Sequence, residues 1–504
     1  MKAIVGYTGF VGSNLLSSFK FDKFYNSKNF ENAIGCDFDE LFFVGLPAEK
    51  WKINKYPDID DYNINKIKNI LNTISVKRFI LISTIDVYEN VNNEYDEDYD
   101  PNFTINHKYG TNRYLFENYI KNKFPNYHII RLPAIFGLGI KKNIIYDLIN
   151  NNQIENIPLN SKFQWYSLTW IKDDIRDIIN KNIKLINLFP EPLETQKIIN
   201  LFRYEPNKFT NDKVIFYNTR SKYFLTGYNK TNEESLEEIK KFIDFSKINK
   251  QRLRVSNIFP KEISQFQFAN ILKLFGIEQI QIAPTILNSG SWNITNIDYS
   301  ILNGLKITSM QSILYGINNN IFKNPNVIME HIKMIIDHSN KNKINALIFG
   351  CPKNRNKDET DDINIFINFF KKIGDYCMDK NVIIYLEPNN VKYTNFLNTV
   401  EETGNIVKKI DHPHIKLMID IGHLTKNDLY KIPLYKDIIG NVDISVIDLK
   451  PFLNENITEL HNDFSKILEK ICYNDNINLE MISNGEDLDD LSNSLYNFIK
   501  IYGR

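Results

Sequence analysis

Gly6, Gly9 and Gly12 form a G-x-x-G-x-x-G pattern directly after the apolar run KAIV and directly before the helix-period stretch SNLLSSF. At a strand-to-helix turn this spacing gives a tight bend, lets backbone N–H groups approach a pyrophosphate and points a helix N-terminus at its charge. The turn GYTGFVG, with Gly6, Thr8, Gly9, Phe10, Val11 and Gly12, therefore reads as a nucleotide cradle. A second set adds hydride chemistry. Ser83 and Thr84 end the run FILIST, while Tyr109 and Arg113 lie one helical turn apart in HKYGTNRYLFE, so both can face one crevice. The third set is acidic: Glu387 ends VIIYLE, Asp420 ends IKLMID and Glu480 lies in INLEMIS. A carboxylate that closes an apolar run is costly unless it meets a cation or hydrogen-bond donors. Convergence on one divalent metal ion satisfies all three, with oxygen ligation suiting Mn²⁺ or Mg²⁺, and Co²⁺ or Zn²⁺ if a histidine joins.

The elements that must position these residues divide the chain. Up to about residue 245, short apolar runs (KAIVGYTG, FDKFYNS, ELFFVGLPA, KRFILISTIDVY, NYHIIRLPAIFG) alternate with helix-period segments. That is a βα pattern, and it predicts a doubly wound parallel sheet of Rossmann type. The interval between the second and third runs is short, so a trimmed sheet is expected. ESLEEIKKFIDF closes this half as an amphipathic helix, and the polar stretch SKINKQR after it sets the boundary, giving domains over 1–246 and 251–504. The second half has eight strand-like segments: LRVSNIF, IEQIQIAPT, LKITSMQS, NALIFGCP, VIIYLEPN, IKLMIDIG, VDISVIDL and NINLEMIS. Their starts recur about every 30 residues with helix-period stretches between, which predicts a (β/α)8 TIM barrel whose chemistry sits at the C-terminal strand ends.

Further residues fall near these sites. No acid stands at the end of the second strand to read an NAD ribose; Asn26, Ser27 and Lys28 stand there, and a serine and a lysine can hold a 2′-phosphate, so NAD and NADP both remain open. Gly45 and Pro47, in VGLPAEKW, are expected to shape the wall of the cofactor cleft. Lys353 and Arg355 follow the fourth barrel strand and are candidates for a sugar phosphate or carboxylate. His423, three residues after Asp420, could approach a substrate, and His107 reads as a solvated loop histidine. The chain has 504 residues, 43% hydrophobic and 24% charged, with 61 basic and 61 acidic residues. A folded multidomain protein follows, and zero net charge gives no electrostatic footprint for nucleic acid or an anionic membrane. No run approaches the ~18–20 apolar residues of a membrane span, so a cytoplasmic location is expected. Cys36, Cys351, Cys377 and Cys472 form no C-x-x-C pair and read as free, mostly buried thiols.

In order along the first half, GYTGFVG, STIDVY, YGTNR and IIRLPAIFG resemble the extended short-chain dehydrogenase/reductase family, the NAD-dependent sugar epimerases and dehydratases. The resemblance implies Tyr109 as general acid/base and Thr84 as the group orienting a hydroxyl or carbonyl; Arg113 stands where the family has a lysine that contacts the nicotinamide ribose and lowers the tyrosine pKa. The two cations are not interchangeable. The second half, through SMQSILYG, FGCPKNR, LEPN, DIGH and LEM, resembles the xylose isomerase-like barrels, the sugar phosphate isomerases and epimerases. That resemblance implies Glu387, Asp420 and Glu480 as metal ligands, and Glu387 and Glu480 as the pair that moves a proton between adjacent sugar carbons. The family's fourth ligand is a seventh-strand histidine, which VDISVIDL lacks; Asp443 or Asp448 could substitute.

Together these readings predict a bifunctional carbohydrate-modifying enzyme. An NAD(P)-dependent domain would act on a sugar, in all expectation nucleotide-linked, and a metal-dependent domain would isomerise or epimerise a sugar or sugar phosphate. Related dehydrogenase folds pair through helices, so a homodimer is one expected state. The competing class is a non-catalytic NAD(P)-binding scaffold or redox sensor with a degenerate barrel.

Overall fold

A computed structural model of the chain describes residues 1–205, 208–288, 297–485 and 487–503. The chain divides into two units, Met1–Lys247 and Ile248–Arg504. Among the described residues the first has nine strands: β1 (Lys2–Val5), β2 (Lys23–Tyr25), β3 (Asp37–Phe43), β4 (Ser75–Thr84), β5 (Tyr127–Leu132), β6 (Ala134–Phe136), β7 (Lys162–Ser167), β8 (Leu185–Asn187) and β9 (Pro192–Glu194). Six of them form a parallel sheet in the order β2-β1-β3-β4-β5-β8. Its central strands are buried on both faces, as Leu41, Phe42 and Phe43 on β3 and Phe79, Ile80 and Leu81 on β4 all lie inside. Continuous apolar runs rather than alternation are what a sheet covered on both sides demands. Between β2 and β3 the chain makes only a 3-10 turn, Phe30–Ala33, and β2 is left as the edge, which is the trimmed sheet expected.

Four helices set the chemistry of this unit: α1 (Phe10–Leu16), α2 (Lys50–Lys55), α3 (Pro57–Leu71) and α4 (Lys108–Lys123). β6, β7 and β9 make a separate small sheet. The helix Asn232–Ser246 closes the unit, started by a capping box between Thr231 and Glu234 and burying Ile239 and Ile243.

The second unit is a closed barrel of eight parallel strands: β10 (Leu253–Ser256), β11 (Gln279–Ile282), β12 (Lys306–Met310), β13 (Ala346–Phe349), β14 (Ile383–Leu386), β15 (Ile415–Asp420), β16 (Ile439–Ile444) and β17 (Ile477–Leu479). Closure is made by β10 pairing with β17, Leu253 opposite Ile477. Helices such as Pro325–Lys341 lie outside and turn Ile328, Ile332, Ile335 and Ile336 inward. The seventh strand begins at Ile439, three residues before the expected VDISVIDL, and ends at Ile444. That shift keeps Asp443 within the barrel wall and places Ser445 just past the strand end.

The lumen is polar, whereas TIM barrels usually fill it with branched apolar residues. Arg254 is fully buried; it donates to Thr308 Oγ1 (3.2 Å) and to Asn441 Oδ1, and Asn441 Nδ2 donates on to Asp443 Oδ1 (2.9 Å). All four cysteines are free, but only Cys377 is buried and Cys472 is exposed, which corrects the expectation of mostly buried thiols. Among the described residues no helix is long and apolar enough to cross a membrane.

Candidate functional site

In the first unit the glycine turn has the backbone that its sequence required. Gly6 has φ +93° and donates its N–H to the Tyr25 carbonyl (2.7 Å), and a Cβ at Gly12 would overlap the Gly6 carbonyl oxygen. Thr8 and Gly9 are exposed at the top of the turn, and Phe10 and Val11 open α1 half-buried. Ser27 and Lys28 are also exposed beyond β2. Asn26 is occupied locally: its Oδ1 accepts the Lys28 N–H (2.9 Å) and its Nδ2 donates to the Tyr7 hydroxyl (3.3 Å). Gly45 packs against β1, where a Cβ would meet Val5 Cγ1 at 2.9 Å.

The Tyr109/Arg113 pair does share one face of α4, with the guanidinium 4.3 Å from the tyrosine ring centroid. The guanidinium is, however, turned to α3. Arg113 Nη1 donates to Asp60 Oδ2 (2.7 Å) and Nη2 donates to the Pro47 carbonyl, with both ion-pair partners almost wholly buried. Asn112 Nδ2 donates to the same Asp60 oxygen (2.8 Å). This corrects the expectation that Arg113 stands in for a ribose-binding lysine: the side chain is spent on a buried carboxylate and on the wall residue Pro47. Burial pushes the Tyr109 phenol up, and the attraction of Arg113 offsets that only in part. Thr84 caps the turn after β4, its hydroxyl accepting the Asp86 N–H (3.2 Å) and lying 3.3 Å from Asp86 Oδ2.

Asp86 is the residue that sequence reasoning passed over. Lys50 Nζ donates to its Oδ1 (2.6 Å), and His107 Nε2 lies 3.7 Å from the same oxygen. Burial opposes the charge on Asp86, but His107 and Lys50 outweigh it and hold the carboxyl below its ordinary range. His107 is not the solvated loop residue expected. Its Nδ1 accepts the Gly110 N–H (3.0 Å) and caps α4, which leaves the proton on Nε2, toward Asp86. The signal was the acid in STIDVY, one turn past a strand end.

At the mouth of the barrel two of the three acids, Glu387 and Asp420, come together with His423, expected as a substrate contact, while Glu480 is not in that group. Glu387, Asp420 and His423 each offer one ligand atom, all within 4.8 Å of one another. Glu387 follows β14, Asp420 ends β15, and His423 ends the 3-10 turn Ile421–His423 that directly follows it. Asp420 is oriented by its neighbours. Its Oδ1 accepts the Gly422 N–H (3.0 Å) and the Ser445 hydroxyl (2.6 Å), which leaves Oδ2 facing His423 Nε2 at 3.4 Å. Ser445, just past the end of the seventh strand, thus serves as a donor to Asp420. Its carbonyl in turn accepts from His461 Nε2 (3.1 Å).

Glu480 follows β17, its N–H donating to the Ile444 carbonyl (2.9 Å). Burial pushes the Glu387 carboxyl well up, and Asp420 and Asp443 push the same way, while Arg355 and Asn389 hold it down. Glu480 is raised well above its ordinary value by burial, then by Asp443, Asp420 and Glu387. Asp443 does not substitute for the missing ligand. Its Oδ1 is taken by Asn441, and its Oδ2 by Gln281 Nε2 (2.8 Å) and Asn478 Nδ2 (2.9 Å). Burial, opposed by Arg254, pushes its carboxyl up to about 6. Asp448 is exposed on the turn beyond β16 and makes no such group.

Lys353 is exposed after β13, whereas Arg355 is wholly buried, with Nη1 on the Glu387 carbonyl (2.8 Å) and Nη2 on Asn389 Oδ1 (2.9 Å). Arg355 therefore cannot offer a fork to a substrate anion, a correction to the sequence reading. Two carboxylates and one imidazole, each with a ligand atom within 4.8 Å of the others, are a donor set that fits a divalent cation.

The family model described as xylose isomerase-like TIM barrel matches residues 301–498. Among solved structures, the 3-keto-D-glucoside 4-epimerase of E. coli is 15% identical, with a TM-score of 0.41 over 50% of this chain and 99% of that one. The D-psicose 3-epimerase of Clostridium cellulolyticum H10 is 15% identical, with a TM-score of 0.39 over 50% and 100%. An L-ribulose 3-epimerase is 16% identical, with a TM-score of 0.39 over 50% and 92%. No curated protein matches the chain in sequence. Residues 301–498 of the closed eight-strand barrel thus match the xylose isomerase-like TIM barrel model.

Proposed function

We propose that the barrel is a metal-dependent sugar isomerase or epimerase that moves a proton at a carbon next to a carbonyl. The observation that carries this reading is the group of Glu387, Asp420 and His423 at the mouth of a xylose isomerase-like barrel, with Glu480 in the same field. Glu387, Asp420 and His423 would hold the ion, with Glu480 at its side. A bound divalent ion supplies Lewis-acid polarisation of a substrate carbonyl, which acidifies the neighbouring C–H. Glu387 and Glu480 form the proton-transfer pair: one carboxylate takes the C–H proton and the other carboxylic acid returns one. Burial raises both carboxyls above their ordinary values, with Asp420 and Asp443 pushing the same way, so each is readier to carry a proton. Asp420, fixed by Ser445 and Gly422, keeps His423 beside the pair. The test is a screen of ketoses and keto-glycosides with Mn²⁺ in deuterated water. A sugar that is converted should gain one solvent deuteron at the isomerised carbon; conversion without deuterium would refute proton transfer through these side chains.

For the first unit we propose NAD(P) binding at the turn Gly6–Gly12, with Ser27 and Lys28 reading the ribose side. Tyr109 and Thr84 would then serve a nucleotide-linked sugar in a bifunctional chain of domains 1–246 and 251–504. A specific observation favours the second reading, a nucleotide-binding unit without turnover: Arg113 is engaged by Asp60, away from the role that the tyrosine's partner would need. Titration with NADH and with NADPH, followed by nicotinamide fluorescence, separates these possibilities. One cofactor should bind at micromolar or tighter affinity, and Tyr109→Phe should leave that affinity unchanged. Binding of neither would end both readings, and a Tyr109→Phe variant that keeps full hydride-transfer activity would end the catalytic one.

A further inference from the structure

Arg355 follows the 3-10 turn Pro352–Asn354 and is 0% exposed. Besides its bonds to the Glu387 carbonyl and to Asn389 Oδ1, Nη2 donates weakly to the Leu397 carbonyl (3.4 Å), and Nε has no partner. Among the described residues it makes no direct ion pair with a carboxylate. A buried guanidinium in that state is expensive unless its charge answers one nearby. The charge it faces is that of Glu387.

The link between them is fixed by hydrogen-bond logic. A guanidinium only donates, so the oxygen of Asn389 must face Arg355; Asn389 Oδ1 and Glu387 Oε2 border the same point above Gly350, 3.6 Å and 2.5 Å from where a Cβ there would stand, and Asn389 favours the charged form of the Glu387 carboxylate. The backbone of Asn389 is itself anchored, its N–H donating to Leu397 (3.0 Å) and its carbonyl accepting from Asn398 Nδ2 (2.8 Å). On another side the carboxylate rests on Gly350, where a Cβ would lie 2.5 Å from Glu387 Oε2. Glu387 is thus held at its own carbonyl and its carboxylate is backed by Gly350, with Asn389 alongside.

We propose that Arg355 is a positioning residue which, through Asn389, holds the Glu387 carboxylate in place beside Asp420 and His423 and supplies its counter-charge. This rests on the metal-dependent reading of the same site. It assigns to Arg355 no contact with substrate.

The experiment is a Mn²⁺ titration of the full chain by electron paramagnetic resonance, with a metal-free thermal melt of each variant. Arg355→Met should bind Mn²⁺ about ten- to a hundredfold more weakly, the usual effect of losing a partner of a ligand, with an altered Mn²⁺ line shape. Arg355→Lys restores the charge but not the fork, and should recover part of the affinity. Asn389→Ala breaks the same link at its other end without removing the buried cation, so it reports even if Arg355→Met fails to fold. It should weaken Mn²⁺ about tenfold, and the double variant should be no weaker than Arg355→Met alone. Wild-type affinity in a folded Arg355→Met or in Asn389→Ala overturns the inference and leaves the metal site standing. A wild-type chain that binds no Mn²⁺ overturns both.

Discussion

Asp420→Asn is expected to abolish Mn²⁺ binding while leaving the barrel folded. The asparagine is nearly isosteric, but its two ends are not equivalent, and the surroundings dictate which way it faces. Gly422 N–H and the Ser445 hydroxyl both donate to Oδ1, so the amide oxygen must stay there. The amide N–H₂ then takes the place of Oδ2, opposite His423 Nε2, and presents donors where an ion needs a lone pair. The loss should exceed the about ten- to hundredfold cost of removing an outer partner. Because one charge leaves a crowded group of acids, the metal-free variant should melt no lower than the metal-free wild type. Paramagnetic resonance titration and circular dichroism give both readouts. Stoichiometric Mn²⁺ at wild-type affinity would mean that the ion is held elsewhere.

The second large effect concerns stability of the first unit. Asp60→Ala removes the carboxylate that accepts from both Arg113 and Asn112 in a region almost closed to solvent. Arg113 is left as a buried cation with the Pro47 carbonyl as its remaining hydrogen-bond acceptor beside the Tyr109 ring, and breaking a buried pair in this way costs about 3–5 kcal/mol. Urea unfolding followed by circular dichroism should show one transition moved by that amount. Replacing both members, Asp60→Leu with Arg113→Met, should recover most of it, since an apolar pair of similar volume leaves no stranded charge. A single Asp60→Ala variant as stable as wild type would mean that the guanidinium finds another partner, and the structural account of Arg113 would fail.

Much of the fold was legible because its signals are local. A run such as KRFILIST is apolar on both faces only if helices cover both, and the eight apolar segments after residue 250 at near-regular spacing leave a closed barrel as the economical answer. Gly6 is readable because a turn that brings backbone against backbone excludes a side chain whatever the rest of the chain does. The ends of β14, β15 and β17 could be counted from sequence, and with them Glu387, Asp420 and Glu480. The seventh strand was placed three residues late, since IGNV carries little apolar signal; that error made Asp443 look like a ligand when it lies within the wall.

Local pattern is enough to list the residues delivered to each site: the glycine turn, the tyrosine helix and the acids near the barrel strand ends. What each does with its lone pairs and charges depends on the assembled fold. Asp443 is satisfied by Gln281, 162 positions away, and Arg113 by Asp60, 53 positions away. Arg355 and Lys353 read alike as basic loop residues, yet one is sealed beneath Glu387 and the other is in solvent. Strand and helix periods act over a few residues and are written in the local pattern, whereas a buried polar group is defined by the partner that desolvation forces it to find, and that partner is chosen by chain closure across the whole fold.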